Sequence, residues 1–176
     1  MNPASNLFLI GPTGAGKSTV GRRIARALAL DFVDLDQLIE ARSGVSIARI
    51  FETEGEAAFR RRESALLDEC TQRAAVVLAT GAGAVLDPDN QARLRERGFV
   101  VYLETPVALQ LDRLAGARDR PLLAQGDRRA RLEAMAEIRT PIYRGLADLR
   151  FATDRQAPGP TAERLLAALN QSWQRS

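Results

Sequence analysis

Histidine is absent from this sequence of 176 residues, and cysteine occurs once, at Cys70. Without histidine the chain cannot form a Ser-His-Asp triad, use a histidine general base or bind zinc through imidazole. One cysteine cannot form an internal disulfide bond, so the chain suits a reducing compartment, and Cys70 is predicted to be unreactive. Any catalysis must therefore use carboxylates, hydroxyls, backbone amides, arginine, lysine or a hard metal ion.

Lysine is almost as scarce, because 24 of the 25 basic residues are arginine and the single lysine is Lys17. The net charge of +3 and the isoelectric point near 9.7 raise the question of nucleic-acid binding. The arginines are spread among 22 acidic residues, and only 5% of all residues are aromatic, so no basic stripe with interleaved aromatic residues forms. We therefore expect no nucleic-acid partner.

Long apolar runs are also missing. No stretch approaches the roughly 18 apolar residues that a membrane span needs, and the N-terminus lacks the charged and apolar regions of a secretory signal. These absences predict a cytoplasmic protein with no membrane partner. The length and the 45% of hydrophobic residues fit one domain over residues 1–176, which we expect to be a monomer.

Short apolar runs alternate along the chain with longer segments of helical periodicity. Strands are predicted at 7–10, 32–35, 75–79, 99–103 and 149–153, and helices at 17–30, 36–42, 46–51, 54–72, 106–114, 127–145 and 160–172. This alternation indicates an α/β protein, a three-layer α/β/α fold with a central five-stranded parallel sheet. Segment 114–126 is rich in glycine, proline and charge and long for a loop, which predicts a mobile lid.

Residues 11–18 read Gly-Pro-Thr-Gly-Ala-Gly-Lys-Ser and match the phosphate-loop pattern G-x-x-x-x-G-K-[ST]. A buried strand precedes the motif and an amphipathic helix follows it, which is the context that the motif requires. Glycines let the main chain approach an anion, and the helix N-terminus attracts it. Lys17 is predicted to reach the β- and γ-phosphates, and the Ser18 hydroxyl to ligate Mg²⁺. The predicted nucleotide cradle is Gly14, Ala15, Gly16, Lys17, Ser18 and Thr19.

Asp34 and Asp36 follow the second strand, at the sheet edge where a second substrate is expected. Alternate residues of an extended chain point to opposite sides, so the two need not share a role. The third strand lacks a terminal aspartate, which favours Asp34 as the support for Mg²⁺. Asp36 then faces the acceptor, or it caps the helix that begins there. The turn 81–83 either lets a ligand lie against the backbone or is purely structural.

Arginine is so frequent in this chain that a single arginine does not indicate a function, so we choose the candidates by their position in the sequence. Arg120 precedes Pro121 in the predicted lid and is suited to stabilise charge on phosphates. Arg60 follows Phe59 on the long helix. Arg139 is followed by Thr140 and Pro141, and the proline is expected to break or kink the helix nearby. Both arginines are suited to the bidentate clamps that a carboxylate ligand requires.

Six segments, in order, resemble the shikimate kinase family, whose P-loop fold is like that of nucleoside monophosphate kinases. They are GPTGAGKST at 11–19, DLD at 34–36, GVSIARIFETEGEAAFRRRE at 44–63, GAG at 81–83, RPLL at 120–123 and RTPIYR at 139–144. The resemblance extends from the first strand to about Pro158. It implies ATP- and Mg²⁺-dependent phosphorylation of the shikimate 3-hydroxyl, giving shikimate 3-phosphate and ADP in chorismate and aromatic amino acid biosynthesis.

The resemblance also implies roles for residues at matching positions. Shikimate is held by the helices within about 36–63 and by Asp36, Arg60, Gly81, Ala82, Gly83 and Arg139. Arg60 and Arg139 grip its carboxylate, and Asp36 binds its hydroxyls and is the candidate base. The implied catalytic residues are Lys17, Asp36 and Arg120, the last on ATP. Arg113 and Gln156 lie near the adenine, and Glu63 supports Arg60.

One position departs from the family pattern, which has three glycines where this chain has Ala82 in the middle. A positive φ angle at Ala82, or contact of its Cβ with the substrate, would lower affinity by about 1 kcal/mol. Two alternative functions stay open: another small-metabolite kinase, such as a gluconate kinase, and a kinase-like sensor that binds its metabolite without turnover. The intact Lys17, Ser18, Asp34 and Asp36 argue against the sensor.

Overall fold

The computed structural model of the protein describes residues 5–116, 123 and 126–174. The strands are β1 (Leu7–Ile10), β2 (Asp31–Asp34), β3 (Val76–Ala79), β4 (Phe99–Glu104) and β5 (Leu149–Ala152). They form one parallel sheet in the order β2-β3-β1-β4-β5. The predicted five-stranded parallel sheet is confirmed, and each strand end lies within one residue of its predicted place.

The helices are α1 (Lys17–Leu28), α2 (Leu35–Ser43), α3 (Ile47–Glu54), α4 (Glu56–Thr71), α5 (Pro88–Arg97), α6 (Val107–Leu114), α7 (Arg128–Leu146) and α8 (Pro158–Ser172). The sequence pattern does not predict α5, because this helix is strongly polar and buries only Asn90 and Leu94. Of the two effects expected of Pro141, the break is wrong, since α7 continues through this residue, and the kink stays a prediction. Buried residues on both sides of the proline, Leu132 and Leu146 among them, hold the helix against the core.

The two faces of β1 show why helices cover the sheet on both sides. Phe8 and Ile10 are fully buried and pack in one apolar cluster with α2, α3, α4, α5 and α7. Leu7 and Leu9 alternate with them and pack on the opposite face, against α1 and α8. A strand that is apolar on both faces needs a helical layer on each side. The predicted three-layer α/β/α arrangement is therefore confirmed.

The predicted lid at 114–126 falls mostly outside the described residues. Of its middle part the structure describes Leu123, which packs with Leu114 of α6 and Leu132 of α7 in a small third cluster. Within the described ranges, no helix combines the length and the apolar character that crossing a membrane requires.

Ala29 ends α1 in a left-handed conformation, with φ 54° and ψ 44°, and its N–H donates to carbonyls of the last turn. Alanine is strained in this region, whereas glycine is not. Ala29→Gly is therefore expected to raise the free energy of unfolding by about 1 kcal/mol, measured by urea denaturation. The matched control is Ala27→Gly, an exposed change inside the same helix, which should lower it by about 1 kcal/mol. A loss of stability in both variants would contradict the assigned strain.

Candidate active site

A cradle of the kind that binds phosphates lies between β1 and α1. Gly14 and Gly16 have φ angles of 77° and 88°, a left-handed conformation that glycine adopts without strain. Gly16 is the N-cap of α1, and among the described residues no side chain caps that end of the helix. The first N–H groups of α1 are thus left for an anion, beside the positive end of the helix dipole.

Lys17 is the first residue of α1, and its side chain folds back over the loop. The ammonium nitrogen Nζ donates to the carbonyl oxygen of Gly11 at 2.7 Å and to that of Pro12 at 2.9 Å. These contacts hold a full positive charge beside the N–H groups of the cradle. The contact of Lys17 with the β- and γ-phosphates stays a prediction.

Ser18 and Asp34 are joined directly, because the Ser18 hydroxyl donates to Oδ2 of Asp34. Oδ1 of Asp34 accepts from the backbone N–H of Gln37 at 3.0 Å and caps α2. The cap is therefore Asp34 and not Asp36, which leaves the Asp36 side chain for another role. The same contact gathers two hard oxygen donors at the position predicted for magnesium.

Two cavities meet at Asp36. The first, of about 560 Å³, is lined by residues 13–20 together with Asp34, Asp36, Thr80, Ala82, Arg113, Leu114, Gln156, Pro158 and Thr161. The second, of about 530 Å³, is lined by Asp36, Arg60, Glu63, Gly81, Ala82, Gly83 and Arg139, among others. The predicted cradle residues therefore share one cavity, and the residues predicted to hold the acceptor share the other. Five residues line both cavities: Thr13, Ser18, Asp34, Asp36 and Ala82.

Arg60, on α4, is held at the second cavity by two glutamates. Its Nη1 lies 2.8 Å from Oε1 of Glu63, and its Nη2 lies 3.3 Å from Oε1 of Glu56. The Glu63 side chain is only 1% exposed. Burial raises the pKa of the Glu63 carboxyl, the Arg60 guanidinium opposes that rise, and the nearby charge of Asp36 adds to it. These contacts agree with the predicted support of Arg60 by Glu63.

Gly81 and Gly83 leave room for that ion pair. A Cβ at Gly83 would lie 2.4 Å from Nη2 of Arg60, and a Cβ at Gly81 would lie 2.5 Å from Oε2 of Glu63. The Arg60–Glu63 pair therefore packs directly on the main chain of the turn. Among the described residues, the positive φ angles outside glycine belong to Ala29 and Ala75. Ala82 therefore does not have a positive φ angle, and the backbone strain that such an angle would cause is absent there.

Arg113 joins the phosphate loop to the segment after β5, at the far end of the first cavity. Its guanidinium donates to the carbonyl oxygens of Gly14 at 3.0 Å and of Asp154 at 2.7 Å. Gln156 lies in the same segment, where its N–H donates to Oδ1 of Asp154 at 2.9 Å. Arg120, the predicted lid arginine, lies outside the described residues.

Sequence reasoning missed several side chains of the second cavity. Ile47 and Phe51 of α3 line it, and their spacing of four residues on one helix face was an available signal. Tyr143 was also missed, although its hydroxyl lies 2.5 Å from the carbonyl oxygen of Ala82. The sequence indicated Tyr143 only weakly, through its position four residues after Arg139, which places both residues on the same face of α7.

The chain is similar over nearly its whole length to proteins of one family. The family model described as Shikimate kinase matches residues 13–170. The shikimate kinase of Xanthomonas campestris pv. campestris (strain 8004) is 49% identical over 176 residues, which are 100% of this chain and 98% of that protein. The shikimate kinase of Thioalkalivibrio sulfidiphilus is 55% identical over 157 residues, 89% of this chain and 83% of that protein.

Solved structures give the same result. A shikimate kinase from Acinetobacter baumannii in complex with shikimate superposes with a TM-score of 0.93 at 43% identity, covering 97% of this chain and 95% of that one. A gluconokinase from Sinorhizobium meliloti superposes with a TM-score of 0.58 at 19% identity, covering 97% and 93%. The second likeness shows a shared fold alone.

Proposed function

The chain belongs to the shikimate kinase family, and from this premise we infer that it transfers the γ-phosphoryl group of ATP to the 3-hydroxyl of shikimate. The products are shikimate 3-phosphate and ADP, in the pathway to chorismate and the aromatic amino acids. The observation that carries this inference is the meeting of two cavities at Asp36, one built on the phosphate loop and one on Arg60 and Arg139. Direct transfer requires that both substrates reach the same point.

Lys17 and the first N–H groups of α1 bind the β- and γ-phosphates of ATP. The transition state of phosphoryl transfer is loose, and its charge is spread over the oxygens of the transferred group. Catalysis therefore depends on fixed positive charge and on alignment, which the loop supplies before the substrates bind. Arg120 adds positive charge from the lid, and Arg113 and Gln156 border the adenine.

Ser18 and Asp34 fit the Mg²⁺ ion that accompanies ATP. Mg²⁺ usually keeps several waters and takes one or two protein oxygens together with phosphate oxygens. That preference suits a site where the described residues bring together no group of three or more Asp, Glu or Cys side chains. When bound, the ion neutralises charge on the phosphate oxygens.

Arg60 and Arg139 grip the shikimate carboxylate, each through the planar fork of its guanidinium. Asp36 lies between that carboxylate site and the phosphate loop. Its Oδ1 faces the turn, since a Cβ at Gly81 would be 3.1 Å from it. From this place Asp36 orients the 3-hydroxyl and accepts its proton as the oxygen attacks the γ-phosphorus.

Gly83→Ala is expected to raise KM for shikimate about tenfold, with KM for ATP nearly unchanged. The added Cβ would displace the Arg60 guanidinium, which it would meet at 2.4–2.7 Å. Steady-state kinetics with each substrate varied in turn measure the two constants.

The matched control is Gly145→Ala, where a Cβ on α7 meets nothing within 4 Å. It should leave both KM values within about twofold. An unchanged KM for shikimate in Gly83→Ala would mean that Arg60 does not hold the substrate.

A coupled ADP-release assay tests the proposed function. Parallel reactions contain shikimate, gluconate or no acceptor, and ³¹P NMR identifies the phosphorylated product. ADP release that depends on shikimate is expected. Comparable rates with gluconate would favour a broader metabolite kinase, and calorimetric binding of shikimate without ADP release would favour a sensor. The monomeric state and the cytoplasmic location stay predictions.

A further inference from the structure

Tyr143 of α7 is one of the largest fully buried side chains, with 1% of its surface exposed. Its ring stacks on Tyr102 of β4, with the ring centres 5.0 Å apart and the planes inclined by 25°. The stack fixes where the Tyr143 hydroxyl points. That hydroxyl reaches the turn 81–83.

The Tyr143 hydroxyl connects two parts of the acceptor site that are far apart in sequence. It donates to the carbonyl oxygen of Ala82 at 2.5 Å. The Arg139 side chain lies beside Tyr143, one helical turn earlier on α7, and the two residues line one small cavity. Burial raises the pKa of the Tyr143 hydroxyl, so it keeps the proton that it donates.

The turn depends on this contact because its other carbonyls are used locally. The carbonyl of Gly81 accepts from the N–H of Ala84 at 3.2 Å, and that of Gly83 accepts from the N–H of Leu86 at 3.1 Å. The Ala82 carbonyl instead takes its partner from α7. Arg139 is itself only 8% exposed, so its side chain packs among buried groups beside Tyr143.

We propose that the Tyr143 hydroxyl is a positioning group that aligns Arg139 with the 81–83 turn, so that both contact the acceptor in one geometry. The proposal rests on the proposed function, since it assigns Arg139 and the turn to shikimate. Tyr143 does not touch the reacting atoms in this scheme. It acts on acceptor binding and leaves the phosphate loop alone.

Tyr143→Phe keeps the stacked ring and removes only the hydroxyl. It is expected to raise both the calorimetric Kd and the KM for shikimate about tenfold. KM for ATP should stay within about twofold, because the lost hydroxyl contacts the 81–83 turn and not the phosphate loop. The matched control is Tyr102→Phe, which removes the hydroxyl of the ring that stacks on Tyr143. Its constants should stay within about twofold of wild type.

A double-mutant cycle with Arg139→Lys separates positioning from mere stability. If Tyr143 acts through Arg139, the two substitutions are coupled. The increase in Kd in the double variant is then smaller than the product of the increases in the two single variants. Independent effects, an unchanged Kd for shikimate, or an equal loss for ATP and shikimate would each overturn the proposal. Should Tyr143→Phe fail to fold, the same cycle is made in the Ala29→Gly background.

Wild-type protein in the same assays tests the proposed function separately. Wild type that turns over shikimate, with Tyr143→Phe indistinguishable from it, refutes the role of Tyr143 alone. Wild type that binds shikimate without releasing ADP refutes the kinase activity, and the calorimetric comparison of Tyr143→Phe still decides the positioning role.

Discussion

Lys17→Arg is expected to lower kcat about 1,000-fold, although it keeps the positive charge. The Lys17 ammonium fits between the carbonyl oxygens of Gly11 and Pro12, at 2.7 and 2.9 Å. A guanidinium is broader and planar, so it cannot keep both contacts and also face the γ-phosphate without moving the loop. Initial rates at saturating ATP and shikimate measure the loss.

The matched control is the reverse exchange on the same helix, Arg26→Lys, at an exposed position of α1. It should leave kcat within about twofold, and thermal unfolding should show that both variants fold. A Lys17→Arg protein that keeps more than about a tenth of wild-type kcat would mean that position 17 needs only a charge. The single lysine in a chain with 24 arginines would then have no functional explanation.

The sheet could be predicted from the sequence because its strands are short runs buried on both faces. Phe8 and Leu9 point to opposite helical layers, and both are fully buried, so the apolar run is continuous and easily recognised. Helix α5 gave no such signal. It contacts the core mainly through Leu94, and the rest of its surface is polar. The start of α5 could have been predicted from Asp87 and Pro88, because aspartate caps a helix and proline favours its first position.

The candidate site was predictable where a motif is contiguous and less so where contacts are distant. The phosphate loop needs only residues 11–18, and local backbone geometry explains it. The capping of α2 by Asp34 is also local. The assignment of Asp34 rather than Asp36 to the magnesium site, however, depends on Ser18, which contacts Asp34 from another helix. The contact of Tyr143 with the Ala82 carbonyl joins residues 61 positions apart. A backbone acceptor carries no side-chain signal, so composition and spacing could not reveal it.

Asp36→Asn is expected to lower kcat about 1,000-fold at saturating substrates, with a smaller change in KM for shikimate. Asparagine keeps the volume and the hydrogen-bonding reach of Asp36, but it cannot take the proton of the 3-hydroxyl. Asp36 is one of the residues that line both cavities, where the proposed reaction would bring the hydroxyl to the phosphate loop. Single-turnover measurements would locate the loss in the chemical step.

The matched control is Asp89→Asn, which removes an exposed carboxylate from the first turn of α5, as Asp36→Asn removes one from the first turn of α2. Both variants lose a favourable contact with a helix dipole, about 0.3–1 kcal/mol, and Asp36→Asn also removes the repulsion between Asp36 and Glu63. The difference in kcat then isolates the contact between Asp36 and the acceptor. If Asp36→Asn keeps kcat within about tenfold of wild type, Asp36 only orients the hydroxyl. That outcome would fit a transition state so loose that the attacking oxygen needs little deprotonation before the bond forms.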